Sequence, residues 1–231
     1  EDSELVISSY IVEIPNTNTQ SITKHKIEDK ISYLNELLKG NIDGFSWNKL
    51  YKKSLITDNK LKFPLRGELE NVEDQYFSLR CVALANNISF MNDSNIHYII
   101  HSQSIVRKYQ DGLYNDILNL YKSNKEFLLN IDEFNYDIKD LDILLIRGLI
   151  TIINNEFKPE RKVDYKEKKD LIKKVINIKE YKDSIKNMDR FKLSKINSLY
   201  IKLIKNKMIN TVYIIAMLRC KRMHSKSKVY S

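Results

Sequence analysis

Apolar side chains recur along most of this chain at the three- and four-residue spacing of amphipathic helices. This spacing predicts helices over residues 24–39, 68–85, 96–109, 113–130, 138–154, 165–188 and 191–219. Residues 4–14 differ, because they are rich in β-branched and aromatic side chains and end at Pro15, which predicts a strand. We therefore expect a mostly α fold, α+β at most: a helical globular domain with a small N-terminal β element and a helical C-terminal region.

The composition is that of a folded protein and excludes several classes. Hydrophobic residues make up 42% of the 231 residues, enough for a core, whereas 5 Gly and 3 Pro are too few for collagen-like or many-turned β architectures. No apolar run approaches the roughly 18–20 residues of a membrane helix, so we expect no transmembrane segment. The sequence motifs of phosphate-binding loops, dinucleotide folds and α/β hydrolases are absent.

Charge is divided unevenly along the chain. The whole sequence carries a net charge of +9, but residues 158–231 hold 22 Lys and Arg against 7 Asp and Glu, a net charge of +15. Residues 1–157 are mildly acidic. Because a block of like charges repels itself, it is expected to lie against a polyanion, an anionic membrane or an acidic partner. We predict a mainly helical, mildly acidic region over 1–157 and a strongly basic helical region over 158–231 that packs on it.

The basic region predicts an RNA-binding surface. Its lysines share helix faces and tyrosines lie between them, so phosphates could bind the cations while unpaired bases stack on the rings. Arg147 interrupts an apolar helix and needs a carboxylate partner, such as Asp142 or Asp140, or an anionic ligand. A solvated helix face is the alternative interpretation of the lysines. The candidate phosphate-binding residues are Arg147, Lys169, Lys173, Lys195, Lys202, Arg219 and Arg222.

His224 is the candidate catalytic residue, because it lies among cations close to an apolar helical stretch. Metal-free RNA cleavage needs one group that takes the proton of the ribose 2′-OH and another that protonates the leaving oxygen. Histidine can serve in either role near neutral pH. Its catalytic partner would be Glu13, with Glu4 or His25 as alternatives. The competing interpretation of His224 is a histidine in a loose basic tail.

The histidines and cysteines predict neither a metal site nor a cofactor. His97 and His101 have the i, i+4 spacing of a zinc pair on a helix, but Tyr98 stands where a metalloprotease has Glu. Cys81 lies in an apolar stretch and is expected to be buried. Cys220 lies between cations, which favours a reactive thiol if the side chain is exposed, and it could form a disulfide with Cys81 or with a partner chain.

The chain begins at Glu1 without an initiator Met, which indicates either a removed secretory signal peptide or a fragment. A small, basic chain of this kind, rich in Lys, Ile, Asn and Tyr, resembles the tRNA-cleaving toxin subunits of yeast linear killer plasmids. The resemblance implies a secreted, metal-independent endoribonuclease directed at tRNA, acting by general acid/base transesterification. A cytoplasmic location is the alternative to secretion.

The leading hypothesis from the sequence is therefore a basic RNA-binding protein and ribonuclease toxin that uses no cofactor. A second hypothesis comes from a different class. The chain could be a non-enzymatic helical interaction protein whose basic C-terminal region docks on an acidic partner or an anionic membrane.

Overall fold

The structure is a computed structural model that describes residues 2–14, 20–23, 26–94, 96–100, 108–131, 136–188 and 193–227, the side chains of 223–227 excepted. The chain forms two compact units. Unit 1 comprises Glu1–His101 and Asn119–Leu141, and unit 2 comprises Ser102–Leu118 and Asp142–Ser231. The shift in charge at Lys158 lies within unit 2, and the division into an acidic and a basic region stays a prediction.

Unit 1 contains two small three-stranded sheets. Their strands are β1 (Leu5–Ser8), β2 (Tyr10–Glu13), β3 (Gln20–Thr23), β4 (Lys49–Tyr51), β5 (Ile88–Met91) and β6 (His97–Ile99). One sheet has the order β4-β1-β5 and the other β3-β2-β6, with β1–β5 and β2–β6 parallel and the other pairs antiparallel. The chain passes between the sheets at Ser9, whose backbone N–H donates to the carbonyl of Met91 at 2.8 Å. The single strand predicted over residues 4–14 is therefore two strands.

Helices account for most of the regular structure in the described residues. They are α1 (Lys30–Leu38), α2 (Lys53–Asp58), α3 (Glu73–Leu84), α4 (Leu113–Leu129), α5 (Asp140–Asn155), α6 (Tyr165–Ile176), α7 (Lys179–Asn187), α8 (Lys195–Lys205) and α9 (Ile209–Ser227). The predicted mostly helical fold, α+β at most, with strands near the N-terminus is confirmed. None of the helices in the described ranges is both long and apolar enough to span a membrane.

Three of the predicted helices differ from the structure in more than their limits. Residues 97–99 form β6, which pairs with β2, so the helix predicted over 96–109 does not exist where the chain is described. The long helix predicted over 165–188 is interrupted after Ile176 and continues as α7. The last predicted helix is likewise divided into α8 and α9, at Lys207, which adopts a left-handed φ of 57°.

The core of unit 1 joins α1 and α3 to the first sheet. Leu5 and Ile7 of β1 are fully buried, and Tyr33 of α1 packs on Phe90 of β5 with ring centroids 5.5 Å apart. Leu34, Leu37 and Leu38 of α1 face this core, as their periodicity predicts, whereas Ile31 is exposed. The sheets and α1 thereby fix the position of α3, which carries the candidate site described below.

Arg80 attaches α3 to α4 within unit 1. Its guanidinium lies 3.4 Å from the centroid of the Tyr76 ring and 4.7 Å from that of Phe127. It also donates to the side-chain oxygen of Asn124 at 3.1 Å and to the hydroxyl of Ser123 at 2.8 Å. A buried guanidinium with this many partners is a structural anchor, because its hydrogen bonds and its ring contacts are both provided by the protein.

Unit 2 is built from helices around α5. The buried apolar residues of α5 within this unit are Ile143, Leu145, Ile146, Leu149, Ile150, Ile152 and Ile153. Helices α6 and α8 both contact α9, and α6 also contacts α7. Their apolar residues lie on one face and their lysines on the other, which is the pattern of helices that cover a core and face solvent.

Candidate functional site

Residues 43–48 lie between α1 and β4 and pack directly on the beginning of α3; we call them the site loop. Gly44 makes this approach possible, because a Cβ atom at this position would lie 2.9 Å from the Cα atom of Gln75. Ser78 of α3 donates its hydroxyl to the carbonyl of Phe45 at 3.2 Å. The site loop is thus held on α3 at two neighbouring points.

The N-terminus of α3 presents two carboxylates beside this loop. Glu73 and Asp74 occupy the first turn, where the positive end of the helix dipole stabilises negative charge. Asp74 is half-buried and accepts a hydrogen bond from the hydroxyl of Ser46, with 2.6 Å between Oγ and Oδ1. Hydrogen bonds of this length to a carboxylate are charge-assisted. The site loop therefore fixes the orientation of the Asp74 carboxylate.

Two polar residues are buried where the site loop enters β4. Asn48 donates its Nδ2 to the carbonyl of Ser8 at 3.2 Å, which ties the loop to β1. Lys49 is only 6% exposed, and its ammonium donates to the side-chain oxygen of Asn48 at 2.9 Å and to the carbonyl of Phe45. Burial lowers the pKa of Lys49 to about 8, although nearby negative charge, chiefly that of Asp74, acts in the opposite direction.

Aromatic rings border the same loop. The ring of Trp47 lies nearly parallel to that of Tyr98 on β6, with centroids 5.4 Å apart and 5° between the planes. Phe45 stacks on Trp47 at 4.9 Å, and Tyr10 meets Trp47 edge-on at 4.9 Å. Phe45, Trp47 and Tyr98 all keep part of their surface in solvent. Partly exposed flat rings form a surface for a ligand with an apolar face.

Asp43 is the carboxylate of the site loop itself. It keeps contact with solvent, but the crowding of protein atoms around its carboxyl removes water and raises the pKa of Asp43. The charge of Lys49 and a hydrogen bond with the phenol of Tyr10 oppose this shift. Asp74 and Asp43 therefore lie in different surroundings: Asp74 accepts a hydrogen bond from a hydroxyl, and burial raises the pKa of Asp43.

This arrangement is suited to proton transfer from a ligand that bears hydroxyl groups. A held carboxylate can accept a proton from a bound hydroxyl, and the adjacent rings offer a flat surface on which the ligand can lie. Within the described parts of the chain, no cluster of three or more His, Cys, Asp or Glu side chains is arranged to hold a metal ion.

Unit 2 contains a concave region. A cleft of about 490 Å³ is lined by charges of both signs: Arg161, Asp164, Lys166, Glu167, Asp170 and Lys174. Arg161 pairs with Glu167 at 2.9 Å and with the buried Glu156 at 3.0 Å, so the strongest charges at this cleft neutralise each other. A site whose charges already satisfy each other offers less to a ligand than the site loop does.

The predicted catalytic residues have these positions in the structure. Glu13 lies on β2, where its Oε1 is 2.7 Å from Nδ1 of His97 and accepts a hydrogen bond from Gln20. His224 lies on α9, and its side chain is outside the described residues. Of the two alternative partners, Glu4 accepts the backbone N–H of Asn86, and His25 lies outside the described residues.

The predicted phosphate-binding residues lie on four helices of unit 2. Arg147 is half-buried on α5. Its expected partner Asp142 accepts a hydrogen bond from Ser184 at 2.7 Å, and Asp140 pairs with Lys39 at 3.4 Å. The others are Lys169 and Lys173 on α6, Lys195 and Lys202 on α8, and Arg219 and Arg222 on α9.

Both cysteines are free in the structure. The thiol of Cys220 donates to the carbonyl of Phe157 at 2.9 Å, and burial raises its pKa despite the positive charges of Lys158 and Lys168. The reactive thiol expected at Cys220 from its neighbouring cations is therefore not what the fold produces, because the side chain points into its own unit. Cys81 is buried, as its apolar neighbours predict.

Sequence reasoning missed the residues of the site loop and Asp74. Glu73 and Asp74 look like ordinary acidic residues of a first helical turn, and nothing in their spacing reveals the hydrogen bond to Ser46. One signal was present in the loop itself. Phe45 and Trp47 stand in a segment expected to be a loop, and large aromatic residues in a connecting segment indicate a surface with a function.

The chain was compared with known proteins. No protein-family profile matches it. It is 37% identical over 162 residues to a Bacillus subtilis (strain 168) protein named "Putative glycosyltransferase EpsH"; the match covers 68% of this chain and 47% of EpsH. The chain spans about half the length of this curated relative.

Crystal structures of TarS from S. aureus share the fold. The complex of TarS residues 1–349 with UDP-GlcNAc superposes with a TM-score of 0.54 at 18% identity, covering 95% of this chain and 60% of that structure. The same fragment without a named ligand gives a TM-score of 0.52 at 19% identity, covering 95% of this chain and 58% of that structure. At these identities the likeness concerns the fold alone.

These comparisons overturn the hypothesis of an RNA-binding ribonuclease toxin. The resemblance to killer-plasmid toxin subunits, RNA or tRNA as the partner, and the non-enzymatic docking alternative are corrected with it. The physical reason is that solvated helix faces and nucleic-acid-binding surfaces can have the same charge and composition. Lys173, Lys195, Lys202 and Arg222, for example, are exposed residues on amphipathic helices.

Proposed function

We propose that this chain is a glycosyltransferase, or the part of one that this sequence spans, and that it transfers a sugar from a nucleotide-sugar donor to a hydroxyl group. The observation that carries the proposal is the 37% identity with EpsH over 162 residues. The fold shared with TarS, which was crystallised with UDP-GlcNAc and with UDP, makes uridine-diphosphate sugars the first donors to test.

The site loop and α3 provide what such a transfer requires on the acceptor side. The acceptor oxygen forms a bond to the anomeric carbon of the donor sugar, the bond from that carbon to the nucleoside diphosphate breaks, and the diphosphate leaves with the electron pair. The acceptor hydroxyl must also lose its proton. A carboxylate held in place beside the acceptor can accept that proton as a general base.

Asp74 is the carboxylate that we assign to this role. Ser46 fixes its orientation at 2.6 Å, and the close approach at Gly44 fixes Ser46 on α3. We prefer Asp74 to Asp43 because Asp74 lies in the first turn of α3 and is held by Ser46, whereas Asp43 is an exposed residue of the site loop. Trp47 belongs to the same loop as Ser46 and stacks on Tyr98, and these two rings would contact the apolar face of a sugar ring.

The test is transfer by the purified full chain with a panel of nucleotide sugars and sugar acceptors. Release of nucleoside diphosphate and incorporation of labelled sugar into product are measured together. We expect Asp74→Asn to lower kcat by about 10²–10⁴-fold, the usual contribution of a general base, while donor binding measured by calorimetry changes little. Asp58→Asn is the matched control, because Asp58 is an exposed carboxylate at the end of α2 in the same unit.

Two results would contradict the proposal at different levels. If the wild-type chain binds no nucleotide or nucleotide sugar and transfers no sugar, the assignment as a glycosyltransferase is wrong. If it transfers sugar and Asp74→Asn keeps the full rate, the activity stands and the role of Asp74 is wrong.

A further inference from the structure

Lys49 is a buried cation beneath the candidate site whose role the proton transfer at Asp74 does not explain. It lies at the start of β4 with 6% of its surface exposed. Lysine is almost never this deeply buried unless a partner compensates its charge. The two acceptors of its ammonium group, the carbonyl of Phe45 and the side-chain oxygen of Asn48, are both neutral. The nearest compensating charge comes from the site itself.

The negative and titratable groups around Lys49 belong to two elements. Asp74 and Cys81 face it from α3, and Asp43 faces it from the site loop. Of these, Asp74 exerts the largest attraction. The cation therefore lies in the field of the carboxylate to which we assign the proton transfer.

Lys49 also holds the backbone that orients Asp74. Its ammonium and the hydroxyl of Ser78 both donate to the carbonyl of Phe45, immediately before Ser46. Ser46 in turn donates to Asp74. A continuous series of contacts thus runs from the buried ammonium through one peptide carbonyl to the carboxylate.

We propose that Lys49 is the positioning residue of the proposed transfer: its buried positive charge holds the site loop on α3 and keeps the Asp74 carboxylate in its reactive orientation. This inference rests on the proposed function for its effect on rate. Its effect on the site loop can be measured without any activity, so the two can fail separately.

The buried Lys49 ammonium lowers the free energy of unfolding, and this loss depends on pH in a defined direction. Because the folded state lowers the pKa of Lys49 to about 8, the unfolded chain binds more protons between pH 8 and the ordinary lysine pKa of about 10.4. Stability therefore rises with pH in this window as the buried ammonium becomes neutral. The rate should change in the opposite direction, because the neutral amine no longer holds the site loop.

The experiment uses the full chain, its single tryptophan and two substitutions. Trp47 is the only Trp of the sequence and lies in the site loop, so its emission reports on the loop directly. We expect wild-type emission, excited at 295 nm, to change with a midpoint near pH 8, and kcat to fall over the same range.

In Lys49→Met the transition should be absent, kcat should be lower by at least tenfold at pH 7, and the melting temperature should be equal or higher. Lys53→Met is the matched control, because it removes the same charge from an exposed position four residues away.

The role of Lys49 can be tested whether or not the chain transfers sugar. If no sugar is transferred by any variant, the emission titration alone decides whether Lys49 holds the site loop, and a transition that is missing from the wild type or kept in Lys49→Met overturns the inference. If sugar is transferred and Lys49→Met keeps the wild-type kcat, the inference is also overturned. Should Lys49→Met fail to fold, the emission and kcat of the wild type still decide, because the absence of a shared midpoint near pH 8 contradicts the positioning role.

Discussion

Gly44 is the single residue on which the geometry of the site loop depends most directly. A methyl group at this position would lie 2.9 Å from the Cα atom of Gln75, and a backbone atom inside a helix cannot move aside cheaply. We expect Gly44→Ala to displace the site loop from α3, to lower the free energy of unfolding by about 1–3 kcal/mol, as overpacking does, and to reduce sugar transfer. Urea unfolding and the transfer assay check the two effects.

Ser46→Ala is the control that separates this backbone clash from the hydrogen bond to Asp74. It removes the bond and leaves the loop in contact with α3, so it should cost only about 1 kcal/mol. A Gly44→Ala chain as stable as the wild type would show that the loop does not pack on α3 as described.

Residues such as these show why the sequence could not locate the site. Gly44, Ser46 and Asp74 are ordinary in their local context, and they meet only because the site loop folds back on α3. Lys49 stands in a segment whose pattern fits either a helix or a strand, so its burial could not be read from periodicity. A site of this kind is formed by contacts between residues that are far apart in the sequence, and such contacts cannot be read from one sequence alone.

Among the elements, long amphipathic helices were predictable and short strands were not. Helices α4 and α5 lie within two residues of their predicted limits, because many apolar residues at the same spacing support each of them. The segment around β6 is short, so its apolar residues fit a helix or a strand equally well, and pairing with β2 decided between them. The N-terminal strand was recognised by its composition, but its division at Ser9 depends on a hydrogen bond to Met91.

Helices α4 and α5 pack closely within unit 2, at Gly148 and Ile117. An added Cβ at Gly148 on α5 would lie 2.5 Å from the Cγ2 atom of the buried Ile117. Replacing glycine by alanine inside a helix normally stabilises it by up to about 1 kcal/mol. Here we expect the opposite sign, a loss of about 1–3 kcal/mol in guanidinium unfolding.

The double variant Gly148→Ala with Ile117→Ala provides the matched comparison. Shortening Ile117 removes the atom that clashes, so the two substitutions should be non-additive by about 1 kcal/mol or more. Strict additivity would indicate that the two helices are farther apart than the structure places them.

For the whole molecule, net charge and composition proved poor guides to function. The excess of positive charge after Lys158 is a property of exposed helix faces as much as of any site. The identity with EpsH over 162 residues and the fold shared with TarS contradict the ribonuclease hypothesis. The secreted location expected from the first residues stays a prediction, as does the division of the chain at Lys158. Fold class was predictable because apolar periodicity determines it, whereas function depends on a few residues brought together by the fold.

Buried tyrosines govern the response of the whole fold to alkaline pH. Burial raises the pKa of Tyr33, Tyr51 and Tyr181 well above the ordinary value of about 10. Above pH 10 the unfolded chain therefore loses protons that the folded chain keeps, so the free energy of unfolding falls as pH rises. Each such tyrosine should contribute a loss of about 1.4 kcal/mol per pH unit above pH 10.

Substitution of Tyr181 tests this prediction at neutral and at alkaline pH. Its side chain is fully buried, and its hydroxyl has no hydrogen-bond partner among the residues that the structure describes. Tyr181→Phe should therefore stabilise the protein at pH 7 by about 1 kcal/mol and make the alkaline loss less steep, because it removes an unsatisfied polar group and one titrating phenol. Tyr200 is equally buried but bonds Asn154 at 3.2 Å, so Tyr200→Phe should destabilise the protein at pH 7 by a similar amount. Guanidinium unfolding at pH 7 and pH 11 measures both effects, and a Tyr181→Phe chain that loses as much stability at pH 7 as Tyr200→Phe would show that the Tyr181 hydroxyl does have a partner.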